Sequence, residues 1–439
     1  MTYRPLLALA LLWTTGAAAQ NPLITDQFTA DPTARVFDGR VYVYPSHDVD
    51  CGTDWFCMKD YHVFSSEDLT EWTDHGVILS QEDVDWVDAS ENAMWAPDVV
   101  EKDGRYYFYF PAIADTTKGV RGRRIGVATA DAPHGPFTPQ DRPIEDVGGI
   151  DPNVFIDDDG QAYLYWSGRG LFGARLGDDM MSLASEPVQL DTGFPGGFKE
   201  GPFVFERDGT YYFTFPHVIH ETEALAYATG DSPLGPFAYQ GVFMEEHPSG
   251  CWTNHHSITE VDGQWVLFYH HNDFSPDFDK NRSIRADSLF FGPDGSIERV
   301  TPTHRGVGLA DARDTLQVDR YSRTSGAGVD VDFLDPDAPF AGWSVTLAQN
   351  GGWVAFDGVD VGDAPPASVQ LRVRSETGGT LKVRIGRNGS YASADLEVAP
   401  TAGWQTVETE IEGVPPGVRD LWVSLRSPGE VAVDWVRFE

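Results

Sequence analysis

Five times along the chain, a strand-length run rich in aromatic residues is reached through an Asp-Gly turn. The runs are VYVY (41–44), YYFYF (106–110), AYLYW (162–166), YYFTF (211–215) and WVLFY (265–269). Asp-Gly between two such runs is a strong hairpin signal, because a tight hairpin turn needs positive φ at its centre. The turn glycines are Gly39, Gly104, Gly160, Gly209 and Gly263, so successive turns lie 65, 56, 49 and 54 residues apart. A loose period of that size with one hairpin per unit is the signature of a blade repeat. The reading is an all-β chain whose residues 21–310 form a five-bladed β-propeller. Two near-copies, ATADAPHGPF (128–137) and ATGDSPLGPF (228–237), close the second and fourth units at equivalent places.

Each repeat carries one polar residue six to nine positions before its turn glycine: Asp31, Asp98, Asp151, Glu200 and His255. If the first strand of every hairpin is the inner strand of a blade, these side chains share one height around the axis. As strand-start caps they would be unrelated to one another. Five in register favour a functional ring, because like charges crowded at an axis cost stability unless chemistry or a metal needs them.

Past a passage at about 303–316, residues 316–439 break into short strands separated by Gly, Pro and Asp, among them VQLRVRS, TLKVRIG and VAVDWVRF. That alternation predicts a separate β-sandwich of jelly-roll type. With 68 acidic and 31 basic residues, the net charge of −37 argues against nucleic acid or anionic membranes as partners. Residues 1–19 read as a secretory signal: Arg4, an apolar run over 6–13 too short to span a bilayer, and Ala17-Ala18-Ala19 at the cleavage site. A secreted or periplasmic protein with no membrane insertion is the expectation. In that setting Cys51 and Cys57 either pair locally or stay reduced, and Cys251 reads as a small buried residue.

Four carboxylates and a histidine around a closed axis meet the needs of glycoside hydrolysis. One acid must stay protonated to donate to the leaving oxygen, and another must be ionised to activate water or attack the sugar. Neighbouring like charges push two such pKa values apart. Trp95, Phe56 and Trp252 can stack on a sugar face or pack blade against blade.

The stretches ADPTARVFDGRVYVYPSHD, MWAPDVV, GGIDPNVFIDDDG, KEGPFVFERDG, and NHHSI followed by FYHH together resemble glycoside hydrolase family 43 over about 21–310. The resemblance implies Asp31 as general base, Glu200 as general acid, and Asp151 as the third acid that orients Glu200 and tunes its pKa. It implies inversion through an activated water, with the Asp31 and Glu200 carboxyls roughly 6.5–9.5 Å apart. It also implies a calcium ion near His255 on the axis, held mostly by water, with His256 next in line for that role. Arg282 falls where the family has an arginine reaching the bound sugar, and Asp98 is left to hold a sugar hydroxyl. The segments around 48–76 and 281–297 resemble the arabinoxylan arabinofuranohydrolase group.

The tail, through VDRYSRTSG, NGGWVAFDGVDVG, TAGWQTVETEIEG and VAVDWVRF, is similar to carbohydrate-binding module family 6. That likeness implies a structural calcium ion at Asp319 and Asp434. Trp404 matches one aromatic of the usual cleft, whereas Leu347 and Ala432 replace its tyrosine and asparagine. The expectation is an exported glycosidase acting on a polysaccharide or oligosaccharide and releasing terminal α-L-arabinofuranose. β-Xylosidase activity is the rival. A retaining fructan-active propeller, or one that only binds sugar, are more distant readings.

Overall fold

The Asp-Gly turns behave as their chemistry requires. In the computed structural model, which describes residues 21–247, 250–272, 274–275 and 278–439, Asp38, Asp103, Asp208 and Asp262 have φ of 51°, 56°, 52° and 49°, and the glycine after each is also left-handed. Two successive positive-φ residues define the two-residue turn whose twist matches that of its strands. In the third repeat Gly160 is left-handed (φ 82°) within a longer loop, closed by the Asp157 N–H donating to the Gln161 carbonyl (3.0 Å). The signal-like residues 1–19 lie outside the described residues.

Each hairpin grows into an antiparallel sheet. Blade 1 consists of Thr29–Phe37, Arg40–Asp48, Met58–Ser66 and Thr73–Ser80. The first strands of the other four are Asp98–Lys102, Ile150–Ile156, Phe203–Arg207 and His256–Val261. These five inner strands touch one another in a closed circle, and aromatic and aliphatic clusters fill the wedges between blades. The fifth sheet has three strands, ending with Ser283–Ser288. The start of the chain lies along that strand: the Leu23 N–H donates to the Ile284 carbonyl (2.9 Å) and the Thr29 N–H to the Arg282 carbonyl (2.9 Å). Asn21 adds a two-way side-chain clasp on the Ala286 backbone (3.0 and 2.8 Å). Residues from the two ends of the propeller sequence thus close the ring.

The second unit is a sandwich of two six-stranded sheets. Its strands alternate as a half-buried sheet should. In Ser368–Ser375, Val369, Leu371 and Val373 are fully buried while the residues between them are not. At the junction with the propeller, the Trp343 indole N–H donates to the Phe274 carbonyl (3.2 Å), their rings lie 4.8 Å apart, and the His304 ring bonds the Asp319 carbonyl (3.0 Å). Cys51 and Cys57 form a disulfide, and Cys251 is buried as a free thiol. No helix among the described residues is long and apolar enough to cross a membrane.

Candidate active site

Local backbone geometry aims the acids inward. Asp31 and Asp151 each precede a proline and hold left-handed conformations, φ 50° and 55°. Each lies in a stretch where the strand pairing slips. A bulge of this kind redirects a side chain, and a non-glycine residue held at positive φ is strained, a feature that concentrates at functional sites. Glu200 precedes the inner strand of blade 4. Beside it, Gly201 is left-handed (φ 54°), and a Cβ there would lie 2.9 Å from the His255 ring nitrogen. Only glycine fits between the acid and the histidine. The Gly201 N–H donates to Asp151 Oδ2 (3.1 Å) and to Ser167 Oγ (2.9 Å), so Asp151 holds the peptide next to Glu200.

Asp31, Asp151, Glu200, His255 and Arg282 line one axial cavity of about 240 Å³, walled by Trp95, Phe56 and Trp252. Trp55, within the segment 48–76, joins that wall with Arg123 and Phe198; none of the three holds one of the repeated polar positions. Trp55 and Trp252 are 60% and 46% exposed, so both present free ring surface at the mouth. The Phe56 ring lies against the Arg282 guanidinium (4.8 Å).

Arg282 is fully buried and does more than face the cavity. Its Nε and Nη2 donate to Asp48 (2.9 and 2.8 Å), and its Nη1 donates to Asp31 Oδ1 (3.1 Å). Ser46 Oγ donates to the other Asp31 oxygen (2.7 Å). Burial, the largest single influence, would raise the Asp31 carboxyl, but Arg282, with His270, His255 and the Ser46 hydrogen bond, together outweigh it and hold the pKa below the ordinary value. The opposite holds across the cavity. Burial, then Glu223, then Asp31 push the Glu200 carboxyl well above its usual range. Burial and Glu200 push Asp151 up to about 7.

Glu223 is a residue the repeat pattern does not reveal. It begins the third strand of blade 4, Glu223–Gly230, and is 1% exposed. The Asn254 N–H donates to its Oε2 (2.8 Å), and its carboxyl is hydrogen-bonded to that of Glu200. Burial raises it to about 8. Both carboxyls of the pair are raised by burial, and the shared hydrogen bond pushes that of Glu200 further up and that of Glu223 down. Asp48, which anchors Arg282, was also absent from the ring.

Asp98 does not join the others. Its two oxygens accept from Arg35 (2.8 and 2.7 Å), and they also take the Val99 and Val154 N–H groups and the Asn153 amide. It clamps three blades together behind the cavity, and no part of it faces a sugar. The physical reason is the neighbouring guanidinium, which captures a carboxylate that would otherwise point to the axis. His256 is likewise a core residue, bonded through Nε2 to Thr214 (2.7 Å).

Calcium prefers a cage of oxygens. Asp319 is ion-paired with Arg320 (2.8 Å) and Asp434 with Arg372, so arginines already neutralise the two carboxylates and the residues do not fit a structural calcium ion. On the axis, His255 contributes a ring nitrogen, and no group of three ligating side chains among the described residues includes it. The protein's own donors there do not make a calcium cage, so any ion would be held by His255 and water, and no step depends on it. In the sandwich, Leu347 is fully buried, and Arg372 and Arg374 lie over the Trp404 ring (5.2 and 4.9 Å). The cleft expected there lacks an open aromatic face.

An ionised carboxylate and a protonated one facing a single sugar-sized cavity, on a closed five-bladed ring, define a glycoside hydrolase. Residues 19–297 match the glycosyl hydrolases family 43 and residues 321–439 the carbohydrate binding module of family 6, and the chain belongs to glycosyl hydrolase family 43. It is 40% identical over 335 residues to a xylosidase/arabinosidase of Humicola insolens, covering 64% of this chain and 99% of that one. It is 29% identical to an arabinoxylan arabinofuranohydrolase of Bacillus subtilis over 93% of this chain and 90% of that one. Among solved structures, a β-xylosidase/α-arabinofuranosidase from a compost microbial metagenome, in complex with xylotriose and in a calcium-free form, superposes with a TM-score of 0.59 at 38% identity, covering 65% of this chain and 98% of that one. The chain is a glycoside hydrolase that carries a carbohydrate-binding module.

Proposed function

We propose that the protein is an exported, inverting, exo-acting α-L-arabinofuranosidase that releases terminal arabinofuranose from arabinoxylan or related hemicellulose side chains. The observation that carries this reading is the opposed state of two carboxyls across one small cavity, Asp31 ionised beside Arg282 and Glu200 protonated beside Glu223. Asp31 takes a proton from a water whose oxygen attacks the anomeric carbon. The bond from that carbon to the leaving oxygen breaks, and Glu200 transfers its proton to that oxygen. Asp31 ends protonated and Glu200 ionised, and exchange with solvent restores both. The cavity, about 240 Å³, is smaller than the roughly 300–1,000 Å³ typical of pockets that enclose drug-sized ligands. This supports capture of a terminal sugar rather than a run of chain.

β-Xylosidase activity, alone or alongside, is the second reading. It is favoured by the name of the Humicola insolens relative and by the xylotriose complex of the metagenome enzyme. Hydrolysis of 4-nitrophenyl α-L-arabinofuranoside against the β-D-xylopyranoside, by wild type and Glu200→Ala, tests both. The proposal expects the arabinoside to be cleaved, and Glu200→Ala to slow arabinoxylan more than the aryl glycoside, whose leaving group needs little protonation. Proton NMR of the first-formed sugar should show the inverted anomer. Turnover of the xyloside alone would overturn the substrate assignment, and a retained anomer would overturn the roles of the acids.

A further inference from the structure

Blade 1 carries a second group of ligating side chains, away from the axis. His47 is the penultimate residue of the strand Arg40–Asp48, and Asp60 and His62 lie two apart on its neighbour Met58–Ser66. Alternate residues of a strand share a face, and the pairing of Ser46 with Tyr61 and of Asp48 with Met58 brings His47 opposite that face. His47 Nδ1 lies 2.8 Å from Asp60 Oδ1, and His62 Nε2 lies 4.0 Å from the same oxygen. One ligand atom from each of the three falls within 4.8 Å of the others. None of the three lines the sugar cavity, and the hydrolytic mechanism uses none of them.

A second observation distinguishes this cluster from a chance pairing of histidines with an acid. The other nitrogen of His62, Nδ1, sits 3.1 Å from both oxygens of Asp74. A carboxylate behind an imidazole fixes its tautomer and turns the remaining nitrogen lone pair outward, the arrangement that metal-binding histidines adopt. Here that lone pair faces Asp60 and His47. Two imidazoles and one carboxylate suit zinc-class ions, whereas calcium and magnesium prefer oxygen. Ligands about 2.0–2.2 Å from a tetrahedral zinc are roughly 3.4 Å apart. His47 and Asp60 are already within that distance, and rotation of the His62 side chain closes the rest. The three side chains are 21%, 24% and 13% exposed, so an ion can enter and a fourth position is open to water.

We propose that His47, Asp60 and His62 form a zinc-class metal site, with Asp74 orienting His62. An ion here ties together the two strands that flank the loop bearing Trp55 and Phe56, which line the sugar cavity. The Cys51–Cys57 disulfide closes the same loop, so the metal would be a second tie at its base. The test is titration of zinc into the tag-free, chelator-stripped full chain by calorimetry, with cobalt absorption as a readout of tetrahedral coordination. One zinc per chain is expected, unaffected by excess calcium. Asp60→Asn or His62→Gln should weaken binding by at least about 100-fold, and Asp74→Asn by about 10–100-fold. Asp74 ligates nothing itself and is the conservative variant to use if a ligand substitution prevents folding. No stoichiometric binding by the wild type, or equal affinity in Asp60→Asn and His62→Gln, overturns the site.

Discussion

Glu223→Gln isolates what keeps Glu200 protonated. The substitution preserves shape and leaves an oxygen to accept the Asn254 N–H, a 2.8 Å bond in the wild type. It removes a carboxyl that ranks directly after burial among the influences raising Glu200. It also replaces that carboxyl with an amide able to donate to the Glu200 anion. Two unit charges about 4 Å apart at an effective dielectric of about 20 repel by about 4 kcal/mol. At about 1.36 kcal/mol per pH unit, that sets a ceiling of roughly 3 units. Glu223 itself titrates near 8 and carries only part of a charge below that, so the expected downward shift is about 1–2 units. The assay is the pH profile of kcat/KM on arabinoxylan oligosaccharides, whose poor leaving group makes acid catalysis visible. The alkaline limb should move to lower pH, while the aryl arabinoside, less dependent on the acid, should change less. An alkaline limb that stays in place, in a variant of wild-type fold and acid limb, would refute the role of Glu223 as the positioning and tuning residue of Glu200.

Other consequences are as direct. Asp31→Asn should lower kcat by about 10²–10⁴ or more, the usual worth of a general base, with a smaller loss of stability than Asp98→Ala because Asp48 still pairs with Arg282. Asp98→Ala should do the reverse, since it strands Arg35 in a buried clamp. The cost expected for breaking such a pair is about 3–5 kcal/mol, read as a lower denaturant midpoint with catalysis retained in the surviving folded fraction. Stability should also depend on pH in a defined direction. Asp151 and Glu223 bind their protons more tightly folded than unfolded, with values of about 7 and about 8. Unfolding therefore releases protons between the ordinary carboxylate range and pH 8, and stability falls as pH rises through that window. Asp31, depressed by Arg282, contributes in the opposite sense, and its share is lost only as pH falls through its folded value. Melting curves from pH 5 to 8 should decline, and Asp151→Asn should flatten that decline.

Much of the molecule is legible one repeat at a time. A positive-φ requirement at each Asp-Gly turn and an alternating or aromatic strand on either side are local properties, so the residues themselves specify hairpins, their number and their spacing. Register within a hairpin follows from its turn. The five polar positions therefore fall at the inner strands, and Asp31, Asp151, Glu200 and His255 surround one cavity. What no repeat reveals is which charges meet across blades. Arg282 and Asp48 are 234 residues apart, and that pair, with Asp31, sets which acid is ionised. Glu223 opens the third strand of blade 4 and meets Glu200, which precedes the first, across the intervening strand Thr210–Val218. By the same logic Asp98, in register with the catalytic acids, is taken out of the site by Arg35 from blade 1, and Asp319 and Asp434 are taken by arginines of the sandwich. The sequence by itself determined the scaffold and the positions that face the axis, because turn and strand preferences act over a few residues. The tertiary structure alone decided the protonation state and the use of each carboxyl, because a buried charge takes its character from whichever partner the fold brings within a few ångströms.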